Sequence, residues 1–444
     1  MSYSQVLGAR LARRLRKAVA CAGVGAAVGA AVPATAIADG EYLGVGSCSS
    51  PVCHGAVSQR DGTRVLQNEY FTWSEHDAHA GAYDLLTNRQ SQRIAANLGL
   101  GNAHEADVCL DCHATNVPAA ARGERFQIDD GVSCEACHGA AKDWIETHDD
   151  RGVAHADNVA RGLVALDEPV VRAQLCTSCH VAAPDRFVTH RIMAAGHPRT
   201  GFELDTFSFL QPPHYRIDDD YRERKTASDS ATLWAVGQAM SAFRVFEALT
   251  DPARNHKGGW AEFTLFDCFS CHHEMNTRTP EASSRIGLPA VQKSSLLMYL
   301  AAMAVVDGAR AERAEALLGQ VDGALYEGGA KLQQAAVRLR DHVQADAGRL
   351  AAWNPTVASL EAVLARVASP KMAVHYRGYA DAEQATMAAQ ALVATIEAKG
   401  GGSGPRFALL GKALEDLFDA TESEAGFEMA AFSAALGSLR SALQ

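Results

Sequence analysis

Aromatic residues are scarce in this chain: phenylalanine, tyrosine and tryptophan together make up 7% of its 444 residues. Hydrophobic residues reach 48%, but much of that share is alanine, whose small side chain fills little volume. A chain of this length nevertheless has room for two or three domains. We therefore expect a bulky group other than an aromatic side chain to contribute to the core.

Long apolar stretches are also rare, and one uncharged run stands out at residues 18–38. Five arginine and lysine residues precede it, and it ends in the small-x-small sequence Ala36-Ile37-Ala38. This pattern is typical of a secretory signal, so we expect residues 1–38 to be a signal peptide and the mature chain to begin at Asp39, in the periplasm or exported. The run is rich in alanine and glycine, which insert poorly into a bilayer. An uncleaved membrane anchor is the alternative, and no other segment is long and apolar enough to span a membrane.

Basic residues are in the minority. The predicted mature chain keeps 36 of the 41 lysine and arginine residues against 52 acidic residues, which gives a net charge of −16. This balance argues against nucleic acid and anionic lipid as partners. It suits a redox protein partner with a basic docking face, although ordinary solubility explains the charge equally well.

No cysteine of the predicted mature chain is left over for a disulfide or a nucleophile. Cys21 lies in the signal, and the other ten form five short pairs, each followed by histidine. Four pairs are exact C-x-x-C-H motifs, the pattern that attaches haem c: the thiols add to the haem vinyl groups and the histidine binds the iron. Cysteine pairs also bind zinc, but a trailing histidine in all four motifs favours haem. The motifs are Cys109, Cys112 and His113; Cys134, Cys137 and His138; Cys176, Cys179 and His180; and Cys268, Cys271 and His272.

A fifth pair has a longer spacer of four residues, Cys48-Ser-Ser-Pro-Val-Cys53, followed by His54. The extra residues can loop out around Pro51 and leave the two sulfurs close together. A small disulfide ring is the alternative, but the trailing histidine favours a fifth haem.

Each iron needs a second axial ligand or has an open face. Ten histidines outside the motifs lie in residues 40–280, twice as many as five irons need. His273 directly follows His272, and adjacent side chains on a helix diverge by about 100°, so His273 can reach only a different haem. His190 and His197 flank Met193, a weaker candidate ligand. The ten are His76, His79, His104, His148, His155, His190, His197, His214, His256 and His273; His342 and His375 lie far from any motif and are expected to be solvated.

The chain is predicted to be mainly α. We expect residues 39–281 to form a pentahaem cytochrome c domain of short helices and long loops. Beyond residue 282 no cysteine occurs and amphipathic helical patterns dominate, so residues 282–444 are expected to form a helical bundle. That bundle either docks a partner, covers haem edges, or simply stabilises or dimerises the protein.

Residues 45–190 resemble the tetrahaem cytochrome family that accepts electrons from hydroxylamine oxidoreductase in ammonia oxidisers. The resemblance rests on the order of a first motif, then Trp73-Ser-Glu-His-Asp-Ala-His79, the second motif, Gly131-Val-Ser-Cys-Glu-Ala-Cys-His-Gly139, His148 and the fourth motif. The four-residue spacer, the fifth haem and the C-terminal bundle depart from the family pattern.

The resemblance implies stacked haem pairs, with three haems ligated by two histidines and one five-coordinate. It implies that His148 ligates the His54 haem and His79 the His180 haem. The His138 haem takes His197 or His190, and the His113 haem is the open one.

The expected function is electron transfer through five haem c groups, with no catalytic residue assigned. The alternative is a multihaem oxidoreductase that acts on a small nitrogen or sulfur compound at a five-coordinate haem. The pentahaem nitrite reductase family marks its catalytic haem with lysine, and no C-x-x-C-K occurs here. A third possibility is a structural subunit of a haem filament or a membrane-associated complex.

Overall fold

The computed structural model describes residues 40–184, 186–251, 261–272, 289–325 and 327–444. In these ranges the chain forms nineteen α-helices and several short 3-10 turns, and its β-structure is limited to two isolated bridges. The expected mainly α fold is therefore confirmed. No helix in these ranges combines the length and the apolar character that a membrane span needs. The predicted signal peptide lies outside the described residues.

The chain divides into two compact units. The first, here called the motif unit, contains residues 40–200 and Phe209–Ser228. The second, the helical unit, contains Gly201–Ser208 and Asp229–Gln444. The fifth cysteine pair belongs to the helical unit, whereas the sequence led us to expect a boundary at residue 281, beyond that pair.

Short helices joined by long loops make up the motif unit. Three of them end at the histidine of a C-x-x-C-H motif, because each motif occupies the last helical residues before a turn. Pro169 begins the longest of these three, in the first turn, where a missing backbone N–H costs nothing. The helices are α1 (Glu69–His76), α2 (Ala82–Thr87), α3 (Arg89–Leu98), α4 (Asp107–His113), α5 (Cys134–His138), α6 (His155–Val159), α7 (Pro169–His180), α8 (His190–Ala194), α9 (Leu204–Leu210), of which the last two residues belong here, and α10 (Asp219–Arg224).

The buried apolar clusters described in the motif unit are small and rich in alanine. One of them joins Leu86 of α2, Ala95 of α3 and Leu110 of α4, together with Ala103 and Ala114. These side chains supply little volume, as the low aromatic content predicts.

The helical unit has a conventional apolar core centred on α11. Trp234, Phe243 and Phe246 of this helix are at most 1% exposed, and α11 packs against α12, α14 and α17. Helices α18 and α19 pack against each other as a pair. The helices are α11 (Ser230–Ala248), α12 (Ser294–Val306), α13 (Gly308–Ala324), α14 (Gly329–Ala351), α15 (Val357–Val367), α16 (Pro370–Ala373), α17 (Tyr379–Ile396), α18 (Pro405–Ala420) and α19 (Met429–Ala442).

A polar network is buried within this core. The Tyr299 hydroxyl donates to Asp346 Oδ2 at 2.6 Å, and Arg310 Nε donates to Asp346 Oδ1 at 2.7 Å. The His342 side chain is 8% exposed, with its Nε2 3.0 Å from the Arg310 carbonyl oxygen and 3.4 Å from Asp346 Oδ2. The expectation that His342 is solvated was therefore wrong, because helix packing encloses it.

Replacing Phe243 by alanine should lower the free energy of unfolding of the helical unit by about 3–5 kcal/mol, the usual cost of emptying a large buried aromatic site. Leu409→Ala is the matched control: Leu409 lies on α18 of the same unit and is 59% exposed, so its loss should cost less than about 0.5 kcal/mol. Denaturant unfolding followed by far-ultraviolet circular dichroism measures both. Equal stabilities of the two variants would contradict the central place of α11.

Candidate haem sites

The first cysteine pair, despite its long spacer, lies on a closed turn. The amide of His54 donates to the Cys48 carbonyl at 3.3 Å, and the amide of Cys53 donates to the Ser50 carbonyl at 2.9 Å. A side chain at Gly55 would collide with the Ser49 carbonyl, so glycine permits the chain to fold back this closely. The turn returns Cys53 and His54 to Cys48, as the predicted loop around Pro51 requires.

Three motif histidines each face a second histidine from elsewhere in the motif unit. The ring centroids lie 6.1 Å apart for His54 and His148, with nearly parallel planes. They lie 6.0 Å apart for His79 and His180, with planes at 86°. For His138 and His214 the separation is 6.2 Å and the angle is 89°.

These separations fit an iron held between two imidazoles. Metal–imidazole bonds are about 2 Å long, and each coordinating nitrogen lies about 1 Å from its ring centroid, so two axial rings on one iron have centroids about 6 Å apart. The residues present therefore fit axial ligation of haem iron at all three places.

The candidate ligands also have the right nitrogen available. Several of them have Nδ1 within hydrogen-bond distance of an oxygen; donation from Nδ1 fixes the ring and leaves Nε2 as the metal-binding atom. The acceptors are Glu69 Oε2 for His54 at 3.1 Å, Asp77 Oδ1 for His79 at 2.8 Å, the Ala82 carbonyl for His113 at 2.8 Å, the Ile145 carbonyl for His148 at 2.5 Å and the Pro198 carbonyl for His197 at 2.8 Å.

Burial and carboxylates set the protonation of these rings in opposite directions. Burial lowers the pKa of His138 and His180 to about 3, so both rings are neutral and ready to bind a metal at neutral pH. Although burial opposes it, the hydrogen bond from His79 lowers the pKa of Asp77 to about 2. Asp77 is therefore ionised at neutral pH. Its negative charge makes the His79 ring a stronger electron-pair donor to a metal.

The cysteines of different motifs lie against each other in a definite order. Cys48 of the first motif lies close to Cys134 of the third, and Cys112 of the second motif lies close to Cys179 of the fourth. Burial, with a smaller contribution from the fourth motif, raises the pKa of Cys137 to about 12. Neighbouring motifs in space are thus first and third, third and fourth, and fourth and second.

Glu135, inside the third motif, holds the first motif in place. This carboxylate is 3% exposed and accepts hydrogen bonds from the backbone amides of Leu43 at 2.9 Å, Gly44 at 2.7 Å and Ala141 at 2.8 Å. No role for Glu135 was predicted from the sequence, where it is a residue between the two cysteines of the third motif.

The partner of His138 differs from the expected one. The structure brings His214 to His138, rather than His197 or His190, because the loop before His214 is anchored by a 2.9 Å hydrogen bond from Gln211 to Asp77. His197 lies in the same unit with Nε2 buried, and His190 begins α8. The other two pairs, His54 with His148 and His79 with His180, are those that the family resemblance implies.

Other candidate histidines lie away from these pairs or outside the described residues. The side chain of His76 is 66% exposed, and His155 Nε2 lies 3.1 Å from Asp167 Oδ1. His272 ends a turn in which its amide donates to the Cys268 carbonyl at 2.8 Å, as His54 does to Cys48. His256 and His273 lie outside the described residues, so the ligand role predicted for His273 stays a prediction.

A comparison with known protein families supports these sites. Residues 47–139, which hold the first three motifs, match the family model described as cytochrome c554 and c-prime. No curated protein and no solved structure matches the chain. The match covers less than a quarter of the chain. Together with the cysteine–histidine motifs, it supports a c-type cytochrome that transfers electrons through haem c.

Proposed function

We propose that this protein is an exported carrier that passes electrons between redox partners along five haem c groups. The observation that carries the proposal is the set of three facing histidine pairs, each spaced for one iron. An iron with both axial positions filled exchanges electrons without binding a substrate, so such sites suit transfer rather than catalysis.

The order of the motifs in space supports a continuous path within the motif unit. Electron tunnelling falls off steeply with distance, and attached haems lie beside the cysteines that hold them. The contacts of Cys48 with Cys134 and of Cys112 with Cys179 therefore support the order first, third, fourth, second along the path. The two ends of that path are the His54 haem and the His113 haem.

The fifth haem of the proposal is held by the helical unit. Asp267 Oδ1 accepts from the Phe269 amide at 3.2 Å and Oδ2 accepts from the Ser270 hydroxyl at 3.0 Å, which shapes the turn between Cys268 and Cys271. The net charge of −16 expected for the mature chain suits partners with a basic docking face. If the predicted signal peptide is cleaved on export, these partners lie outside the cytoplasm.

One observation favours the alternative, a multihaem oxidoreductase with an open iron. Among the described residues, His113 is not part of a ring pair like the other three. A five-coordinate iron on His113 would bind a small nitrogen or sulfur compound, and its presence or absence separates the two functions.

The mature protein should carry five covalent haems on a chain that starts at Asp39. Intact mass spectrometry of the secreted protein measures both the haem number and the cleavage point. A double Cys48→Ala, Cys53→Ala variant should lose the mass of one haem. A wild-type mass that fits four haems and one disulfide would contradict the haem assignment for this pair.

Glu69→Gln should raise the reduction potential of the His54 haem. The Glu69 carboxylate strengthens His54 as a donor and so favours the ferric state. Removing its charge weakens one charge-assisted hydrogen bond by about 1 kcal/mol, which is roughly 40 mV for one electron.

Potentiometric titration followed by visible spectroscopy measures this shift. Glu75→Gln is the control, because Glu75 lies on the same helix with its side chain 61% exposed, and its neighbour at 4.0 Å, the exposed His76, belongs to none of the three histidine pairs. An equal shift of the reduction potential in both variants would show that Glu69 acts only through its negative charge, and not through its hydrogen bond with His54.

A further inference from the structure

We infer that His197 is the second axial ligand of the haem on His113, so that the second haem has no open face. The inference rests on the proposed function, because it requires a haem on Cys109 and Cys112. It also reverses the expectation that this haem is five-coordinate.

The first observation is an unsatisfied nitrogen. His197 Nε2 is buried and has no hydrogen-bond partner among the described residues, whereas its Nδ1 lies 2.8 Å from the Pro198 carbonyl oxygen. A buried polar atom without a partner is unfavourable. Like several other candidate ligands, this ring has its Nδ1 fixed by an oxygen, and its buried Nε2 has no partner among the described residues.

The second observation is the packing that carries His197 to the His113 site. Helix α8 packs on α3, where Arg191 donates to the Leu98 carbonyl at 2.9 Å and Asn97 donates to the Ala195 carbonyl at 3.0 Å. Gly196, with φ of +117°, then turns the chain against Ile94. The residue that follows this turn is His197.

Helix α3 in turn belongs to the cluster that holds His113. Ala95 of α3 packs with Leu86 of α2 and Leu110 of α4, and His113 Nδ1 lies 2.8 Å from the carbonyl oxygen of Ala82, at the start of α2. Consistent with this proximity, burial and, to a smaller extent, His113 lower the pKa of His197 to about 4, so the ring is neutral at physiological pH.

The competing arrangements are less well supported. His138, to which the resemblance assigned His197 or His190, already faces His214. Met193 lies on α8, four residues before His197. Its sulfur needs no hydrogen-bond partner, so nothing at Met193 corresponds to the unsatisfied Nε2 of His197. His104 follows Ala103 of the same cluster, but its side chain is 31% exposed and has no buried unsatisfied nitrogen. The geometry thus favours His197 for the His113 iron.

The test is the spin state of the full-length, haem-loaded protein. In the wild type, low-temperature EPR of the oxidised protein should show the His113 haem as low-spin, and the reduced protein should not bind carbon monoxide there. In His197→Ala one haem per chain should become high-spin and bind carbon monoxide, and added imidazole should restore the low-spin signal.

Two control variants separate ligation from folding. His76→Ala removes an exposed histidine, and Met193→Leu removes the competing ligand; both should keep the wild-type spectrum. If His197→Ala does not mature, His197→Met provides a second ligand and should keep the haem low-spin at a higher potential.

The outcomes distinguish this inference from the proposed function. A wild-type protein with one high-spin haem that His197→Ala leaves unchanged overturns the ligand assignment while leaving electron transfer intact. The ligand assignment is also overturned if Met193→Leu loses a low-spin haem and His197→Ala does not. A wild-type protein whose proteolytic peptide containing Cys109 and Cys112 carries no haem by mass spectrometry instead contradicts the proposed function.

Discussion

The geometry that the haem sites share is a pair of imidazoles about 6 Å apart that come from distant parts of the chain. His54 and His148, His79 and His180, and His138 and His214 each connect segments that have little apolar surface of their own. The buried apolar clusters described in the motif unit are small. An iron bonded to both rings would therefore act as a cross-link that closes a long loop, and such links reduce the entropy of the unfolded chain most when the loop is long.

The motifs were predictable from sequence because haem attachment is a local property. Two thiols and a histidine at fixed spacing are enough, and α4, α5 and α7 each end in this pattern. The turn at Cys48 was also predictable, since Pro51 marks where the longer spacer loops out. The helical fold followed from amphipathic periodicity beyond residue 282.

The second ligands were not predictable in the same way, because each depends on where a loop returns in three dimensions. His214 reaches His138 through a tether between Gln211 and Asp77, and nothing local to His214 encodes that contact. The burial of His342 and the grouping of the fifth cysteine pair with α11 depend likewise on helix packing. The structure brings together the rings that the family resemblance pairs for His148 and His79, and it places His214 beside His138 where the resemblance implied His197 or His190.

Asp77 ties two of the proposed haem sites together. One of its oxygens lies 2.8 Å from Nδ1 of His79, which faces His180, and the other accepts from Gln211 at 2.9 Å, in the loop that carries His214 to His138. Reduction of an iron bound to His79 would make the His79 ring a weaker hydrogen-bond donor to Asp77. The Asp77 carboxylate would then accept the hydrogen bond from Gln211 more strongly. The Asp77 carboxylate would thus interact with the ligands of two neighbouring haems. Reduction of one haem would change the reduction potential of the other, which is redox cooperativity through a single side chain.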